Sequence, residues 1–98
     1  MLYVFTSMHN LSFADRRAEI FEEHKAYVHG IGPQIRFAGP LLQDDDTTMI
    51  GGMVVAEFDS RESAMTWFAN EPFNRAGILT STSVQVFDNR WPPKPRAQ

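Results

Sequence analysis

The stretch SFADRRAEIFEEHKAYVHGIGP, residues 12–33, holds one helix between a start signal and a stop signal. SFAD has the outline of a capping box, with Ser12 placed to accept a backbone N–H of the first turn. Gly30, Gly32 and Pro33 close the segment, because glycine ends helices without steric penalty and proline cannot continue the hydrogen-bond ladder. At about 100° per residue, Phe13, Arg17, Ile20, Phe21, His24, Tyr27, Val28 and Ile31 fall within about 60° of one direction. Asp15, Glu19, Glu22, Lys25 and His29 take the other side. The pattern predicts an amphipathic helix laid against a sheet. Two members of its inward stripe, Arg17 and His24, do not belong there on hydrophobic grounds.

Outward from this helix, LYVFTSM (2–8) precedes it as a strand, with Tyr3 and Phe5 on one side and Leu2 and Val4 on the other. QIRFAG (34–39) and MVVAEF (53–58) follow as two strands separated by a loop containing the solvated run DDDTT. DSRE (59–62) offers a second capping box, and Ala64, Trp67 and Phe68 mark the inward side of a shorter helix. Pro72 forces Glu71 out of the helical region and opens a single further turn that ends at Gly77. SVQVF (83–87) is the last strand. The order β-α-β-β-α-β is that of an α+β, ferredoxin-like fold, a four-stranded antiparallel sheet with two helices on one face. Residues 1–90 are expected to form one domain, and the proline-rich tail 91–98, beginning at Trp91, to lie outside its core.

Composition narrows the function. Ninety-eight residues suit a single core, and a net charge of −3, from nine basic and twelve acidic residues mixed along the chain, provides no basic stripe for nucleic acid. Cysteine is absent, which excludes disulfides, thiolate metal sites and cysteine nucleophiles. No leader pattern opens the chain and no apolar run reaches the ~20 residues of a membrane span, so a cytoplasmic protein without membrane attachment is expected. A metal site from His9, His24 and His29 is disfavoured, since the last two sit about 140° apart on one helix.

His24 and Glu71 are the candidate catalytic pair. Each sits on an inward stripe, on helices that this fold lays side by side, and a carboxylate beside an imidazole orients the ring and fixes its tautomer. The bland alternatives are a core histidine bonded to a backbone carbonyl and a helix-end carboxylate in water. Arg17, on the same side as His24, is a candidate for an anionic substrate group, with snorkelling to solvent as the alternative. Ser83, at the end of TSTS (80–83), is a candidate ligand hydrogen-bond partner, although that run has no nucleophile-elbow glycines. The aromatic residues of the first strand suggest that neither sheet face is wholly polar, and a homodimer packed sheet to sheet is expected.

MLYV, EEHKAYV (22–28), FAGPLL (37–42), GGMVVAEFDSRESAMTWFANEPFNRAGI (51–78) and SVQVF together resemble the YCII-related family over residues 1–88. The resemblance implies a dimeric ferredoxin-like α+β barrel of the muconolactone-isomerase type, with an active site built on a histidine and an aspartate. The histidine corresponds to His24. The aspartate, usually in an Asp-Pro-Phe/Tyr motif, corresponds to Glu71 of EPF, one methylene longer, and Phe73 of the same motif becomes a candidate substrate contact. Phe21 stands where many members carry an arginine, which shifts any anion contact toward Arg17. The clearest enzymatic example in the family is a dehydrochlorinase of a chlorinated hydroxyquinol. The expected function is therefore proton transfer, of elimination or isomerisation type, on a small aromatic or lactone-like substrate with no cofactor. A non-catalytic dimeric binding or accessory domain and a cofactor-free monooxygenase stay open beside it.

Overall fold

A computed structural model describes residues 1–93 and shows the expected order of elements. They are β1 (Leu2–His9), α1 (Ala14–His29), β2 (Ile35–Leu42), β3 (Met49–Glu57), α2 (Arg61–Ala69), α3 (Pro72–Arg75) and β4 (Leu79–Phe87), with short 3-10 turns at Leu11–Phe13 and Gly32–Gln34. The strands form one antiparallel sheet in the order β2-β3-β1-β4, so β3 is inserted between β2 and β1, the arrangement of a ferredoxin-like α+β fold. Among the described residues no helix is long and apolar enough to cross a membrane. Of the proline-rich tail, Trp91 is 82% exposed, and residues 94–98 lie outside the described residues.

Alternation along β1 sends Tyr3, Phe5, Ser7 and His9 toward the helices. Three cross-strand rows on that face follow from the register. Tyr3 lies between Ala56 and Val86, Phe5 between Val54 and Val84, and Ser7 between Gly52 and Thr82, with Pro40 beside Gly52. Tyr3, Phe5, Ala56 and Val84 of the first two rows, with Phe58, Ala64 and Phe68, make the main core, while Val86 at the edge is exposed. Phe5 meets Phe58, Trp67 and Phe68 at ring centroid distances of 5.6, 5.1 and 5.4 Å, within the range of favourable edge and tilted contacts. The third row, Pro40, Gly52, Ser7 and Thr82, carries no large apolar side chain, so the layer between sheet and helices is not filled there. A second small cluster, Ile20, Phe73 and Ile78, packs α1 against α3 and the start of β4. The opposite sheet face is uncovered, and Phe37, Met53 and Phe87 are exposed on it.

Several local expectations are corrected. The cap before α1 is Asn10, whose side chain accepts from the Ser12 N–H, and Ser12 itself caps nothing. A 3-10 turn therefore precedes the α-helix, and Phe13, expected on the buried stripe, is 44% exposed as its N-terminal flank. At α2 the capping box lies one residue later than expected, between Ser60 and Ser63. Strands β2, β3 and β4 extend past the expected ends into segments containing Pro40, Gly51, Gly52 and the 80–83 run. Gly51 pairs with Met8, and a Cβ placed on it would sit 2.2 Å from the Ser7 carbonyl oxygen. A residue that breaks strands by propensity is thus the only one that fits in this strand.

Candidate functional site

Pro72 holds Glu71 extended, with φ −65° and ψ 132°, so the chain leaves α2 and turns sharply before α3. The turn folds the Glu71 carboxylate back over the new helix end, where Oε1 accepts from the Phe73 N–H at 3.2 Å and Oε2 from the Asn74 N–H at 3.3 Å. Oε1 also bonds to Nδ1 of His24, which α1 brings alongside. Glu71 is 4% exposed, and a carboxylate this buried requires such partners. Two of its three contacts are backbone N–H donors and the third is the imidazole nitrogen.

The His24 ring stacks on Phe73 with centroids 4.0 Å apart and planes within 5°. One face of the imidazole is thereby covered, Nδ1 is engaged, and Nε2 is the free nitrogen. Tyr27, one turn along α1, donates its hydroxyl to the Trp67 carbonyl at 2.7 Å and stacks on the Trp67 ring. Burial, and then the Glu71 charge, push its phenol above the usual tyrosine range, with Arg75 opposing. Tyr27 thereby ties α1 to α2.

His24, Glu71 and Phe73 line a cavity of about 290 Å³ beneath α1, floored by the small-residue row of the sheet. Its walls are mostly apolar, with polar groups concentrated at a few points, the usual arrangement of a small-molecule site. Arg17 lines it, and its Nη1 lies 3.7 Å from the Met49 sulfur. The structure therefore brings His24, Glu71, Phe73 and Arg17 to one place. Ser83 is not among them. It pairs with Thr6 on the uncovered sheet face, where the two hydroxyls share a hydrogen bond. Val84 faces the core, so its neighbour must face away.

Three lining residues were missed as site residues. Lys25 and His29 were assigned to the polar side of α1, yet both edge the cavity, because long side chains on a helix flank reach round to it. His9, weighed only as a metal ligand, stands at the end of β1 with its ring edge-on to Phe73 at 5.4 Å and 79°. Its Nδ1 is buried and has no hydrogen-bond partner. Burial, followed by the Arg17 and His24 charges, holds its imidazole below the ordinary value against the pull of Glu71. Among the described residues no group of three histidines or acids is placed to hold a metal ion.

Against this geometry, the profile of the YCII-related domain matches residues 1–88. Protein YciI of Escherichia coli O6:H1 is 29% identical over 94 residues, covering 89% of this chain and 96% of its own. An uncharacterised protein of Haemophilus influenzae is 27% identical over the same shares. Among solved structures, 5-chloro-2-hydroxyhydroquinone dehydrochlorinase (TftG) from Burkholderia phenoliruptrix, in complex with 2,5-dihydroxybenzoquinone, superposes with a TM-score of 0.85 at 23% identity, covering 96% of this chain and all of its own. At that identity the likeness establishes the fold.

Proposed function

The chain belongs to the YCII-related family, and on that premise we propose that it is a small enzyme in which His24, oriented by Glu71, moves a proton on a compact ring substrate. The observation that carries this reading is that the imidazole and its buried carboxylate partner line an open cavity rather than being sealed in the core. A dyad serving only to join two helices would need no cavity beside it.

With Nδ1 bonded to Glu71, Nε2 of a neutral His24 is the base. It takes a proton from an acidic O–H or C–H of the substrate, and the released electron pair moves into the ring system. In an elimination the pair leaves with the departing group, and in an isomerisation the imidazolium returns the proton at another atom. Glu71 stabilises the transient imidazolium without itself taking the proton. Phe73, stacked on the ring, keeps it from swinging away. The dehydrochlorination performed by the structural neighbour is a reaction of the elimination type. Arg17 is assigned to an anionic group of the substrate.

The quaternary part of the proposal is a homodimer. Phe37 is 57% exposed on the uncovered sheet face, near Met53, and a second copy packed there would bury both. Light scattering should return twice the chain mass at micromolar concentration, and a monomer would end this part of the reading.

For the chemistry, purified protein is to be incubated with chlorinated hydroxyquinols and with lactones while ultraviolet absorbance is followed. Turnover of one class, lost in both His24→Gln and Glu71→Gln with the fold retained by circular dichroism, is the expected result. No turnover of either class, or a His24→Gln protein as active as the parent, would sink it.

A further inference from the structure

The cavity beside His24 does not end at Arg17. A second cavity adjoins it, lined by Asn10, Leu11, Ala14, Thr47 and Thr48 and sharing His9, Arg17 and Met49 with the first. At this junction the proposed chemistry leaves two groups unused. Arg17 has a methionine sulfur as its only hydrogen-bond contact and no carboxylate within ion-pair distance among the described residues. His9 Nδ1 is buried without a partner, a condition that costs about 1–3 kcal/mol unless a ligand or water meets it.

The charge balance points the same way. Arg17, Lys25 and three histidines line the His24 cavity against a single carboxylate, Glu71. That carboxylate is already engaged by His24 and two backbone N–H groups. Lys25 meets Glu22 at 3.4 Å, and no acidic lining residue is left to meet Arg17. The second cavity has no acidic lining residue at all.

We infer that His9 and Arg17 form an oxyanion subsite at the junction of the two cavities, so that the substrate is a planar ring carrying an anionic oxygen, carboxylate or enolate, beside the atoms that His24 acts on. This rests on the reading of the His24 cavity as a substrate site. The guanidinium supplies the charge and His9 Nδ1–H a directed hydrogen bond. Facing an anion, a neutral imidazole takes the tautomer with its proton on Nδ1, and the depressed proton affinity of this ring keeps it neutral near pH 7. Phe73 links the two imidazoles, since its face lies on His24 and His9 meets it edge-on. A ring bound in this cavity is thereby held between a base and a hydrogen-bond donor, and the second cavity gives a ring substituent room to extend past Thr47 and Thr48.

Two probes of equal ring size test the subsite by calorimetry, 2,5-dihydroxybenzoate as the anion and hydroquinone as its uncharged counterpart. The anion is expected to bind at least about tenfold tighter, and Arg17→Gln to abolish that preference. His9→Leu should weaken the anion about tenfold, while His9→Asn, whose amide nitrogen reaches the place of Nδ1, should restore most of the loss. The wild-type protein supplies a measurement free of folding effects, because the Nδ1 nitrogen resonance of His9 should move when 2,5-dihydroxybenzoate is added. Equal affinity for the two probes, no binding of either at millimolar concentration, an unmoved His9 signal, or a His9→Leu protein that binds like the parent would each overturn the inference. His24→Gln separates the two readings. If it keeps the anion preference and also keeps turnover, the proton-transfer reading fails and the subsite stands. If turnover depends on His24 but the probes are not distinguished, the subsite alone fails.

Discussion

The two ends of the sheet face the same helical layer and do opposite things with it. Where β1 begins, Tyr3 and Phe5 project into a space closed by Phe58, Ala64 and Phe68. Where β1 finishes, Ser7 and Gly52 leave that space to the cavity and to His24, Glu71 and His9. The backbone ladder runs through both ends, so the difference lies in side-chain volume. A site is made here by withholding bulk from one cross-strand row while the neighbouring rows hold the fold. Stability and chemistry should accordingly be separable by mutation.

The largest effect belongs to the filled end. Phe5→Ala removes a ring that is 2% exposed and touches three other aromatic rings, and it should lower stability by about 3–5 kcal/mol in a urea titration. A loss below about 1 kcal/mol would mean that the two ends are not different in kind.

The comparison is sharpened at two adjacent glycines of the hollow end. Gly51→Ala drives a methyl group against the Ser7 carbonyl oxygen and should cost about 1–3 kcal/mol. Gly52→Ala places its methyl 3.8 Å from the Gly39 carbonyl and 3.9 Å from the Ser7 hydroxyl, ordinary contact distances, and should change stability by less than about 0.5 kcal/mol. Extending the latter to Gly52→Val should leave the fold in place while shrinking the cavity, read as weakened binding of an aromatic probe by calorimetry. Equal destabilisation by the two alanines would contradict the assigned geometry of this row.

Acid should act on the hollow end through His9. Its folded value lies below the 6.5 of an unperturbed histidine, so between the two the unfolded chain binds a proton that the folded chain does not. Stability from this group is intact above pH 6.5 and declines as pH falls, levelling off once the folded value is passed. His9→Asn should flatten that part of the urea-midpoint profile relative to the parent. His24 and His29 remain in both proteins, so the difference between the profiles isolates His9.

The smallest effect is expected in the β2–β3 loop, beyond the cavity. The Asp45 carboxylate accepts from the Thr48 hydroxyl at 2.6 Å and from the Thr47 and Thr48 N–H groups at 2.9 Å, which lowers its pKa from 3.8 to about 2. Its contribution is present above pH 3.8 and fades as pH falls toward about 2. Carboxylate NMR should find this midpoint, and Asp45→Asn should be slightly less stable than the parent near neutral pH, the two converging as pH falls toward about 2.

Much of this architecture was readable because the relevant signals are local. The stripe of residues 12–33, the β-branched and aromatic runs, and Pro72 each constrain their own neighbours, and together they place His24 and Glu71 on adjoining elements. What escaped depends on partners distant in sequence. Pro40, Gly51 and Gly52 read as interruptions because propensity penalises them in strands, whereas in the sheet they are the floor of the cavity. Ser83 was assigned to the site although the alternation of SVQVF, with Val84 inward, puts it on the far face. His9 carried no signal of its own, since only the approach of Arg17 and Phe73 gives a histidine at a strand end an environment.

Because one carboxylate both caps α3 and holds the imidazole, the amides of Phe73 and Asn74 are wired to the protonation of a side chain on a different helix. Any event that draws the Glu71 oxygens toward His24 must slacken their hold on those two N–H groups. Their proton chemical shifts and exchange rates are therefore a built-in gauge of the dyad, legible in an unlabelled ligand titration even before a reaction has been assigned.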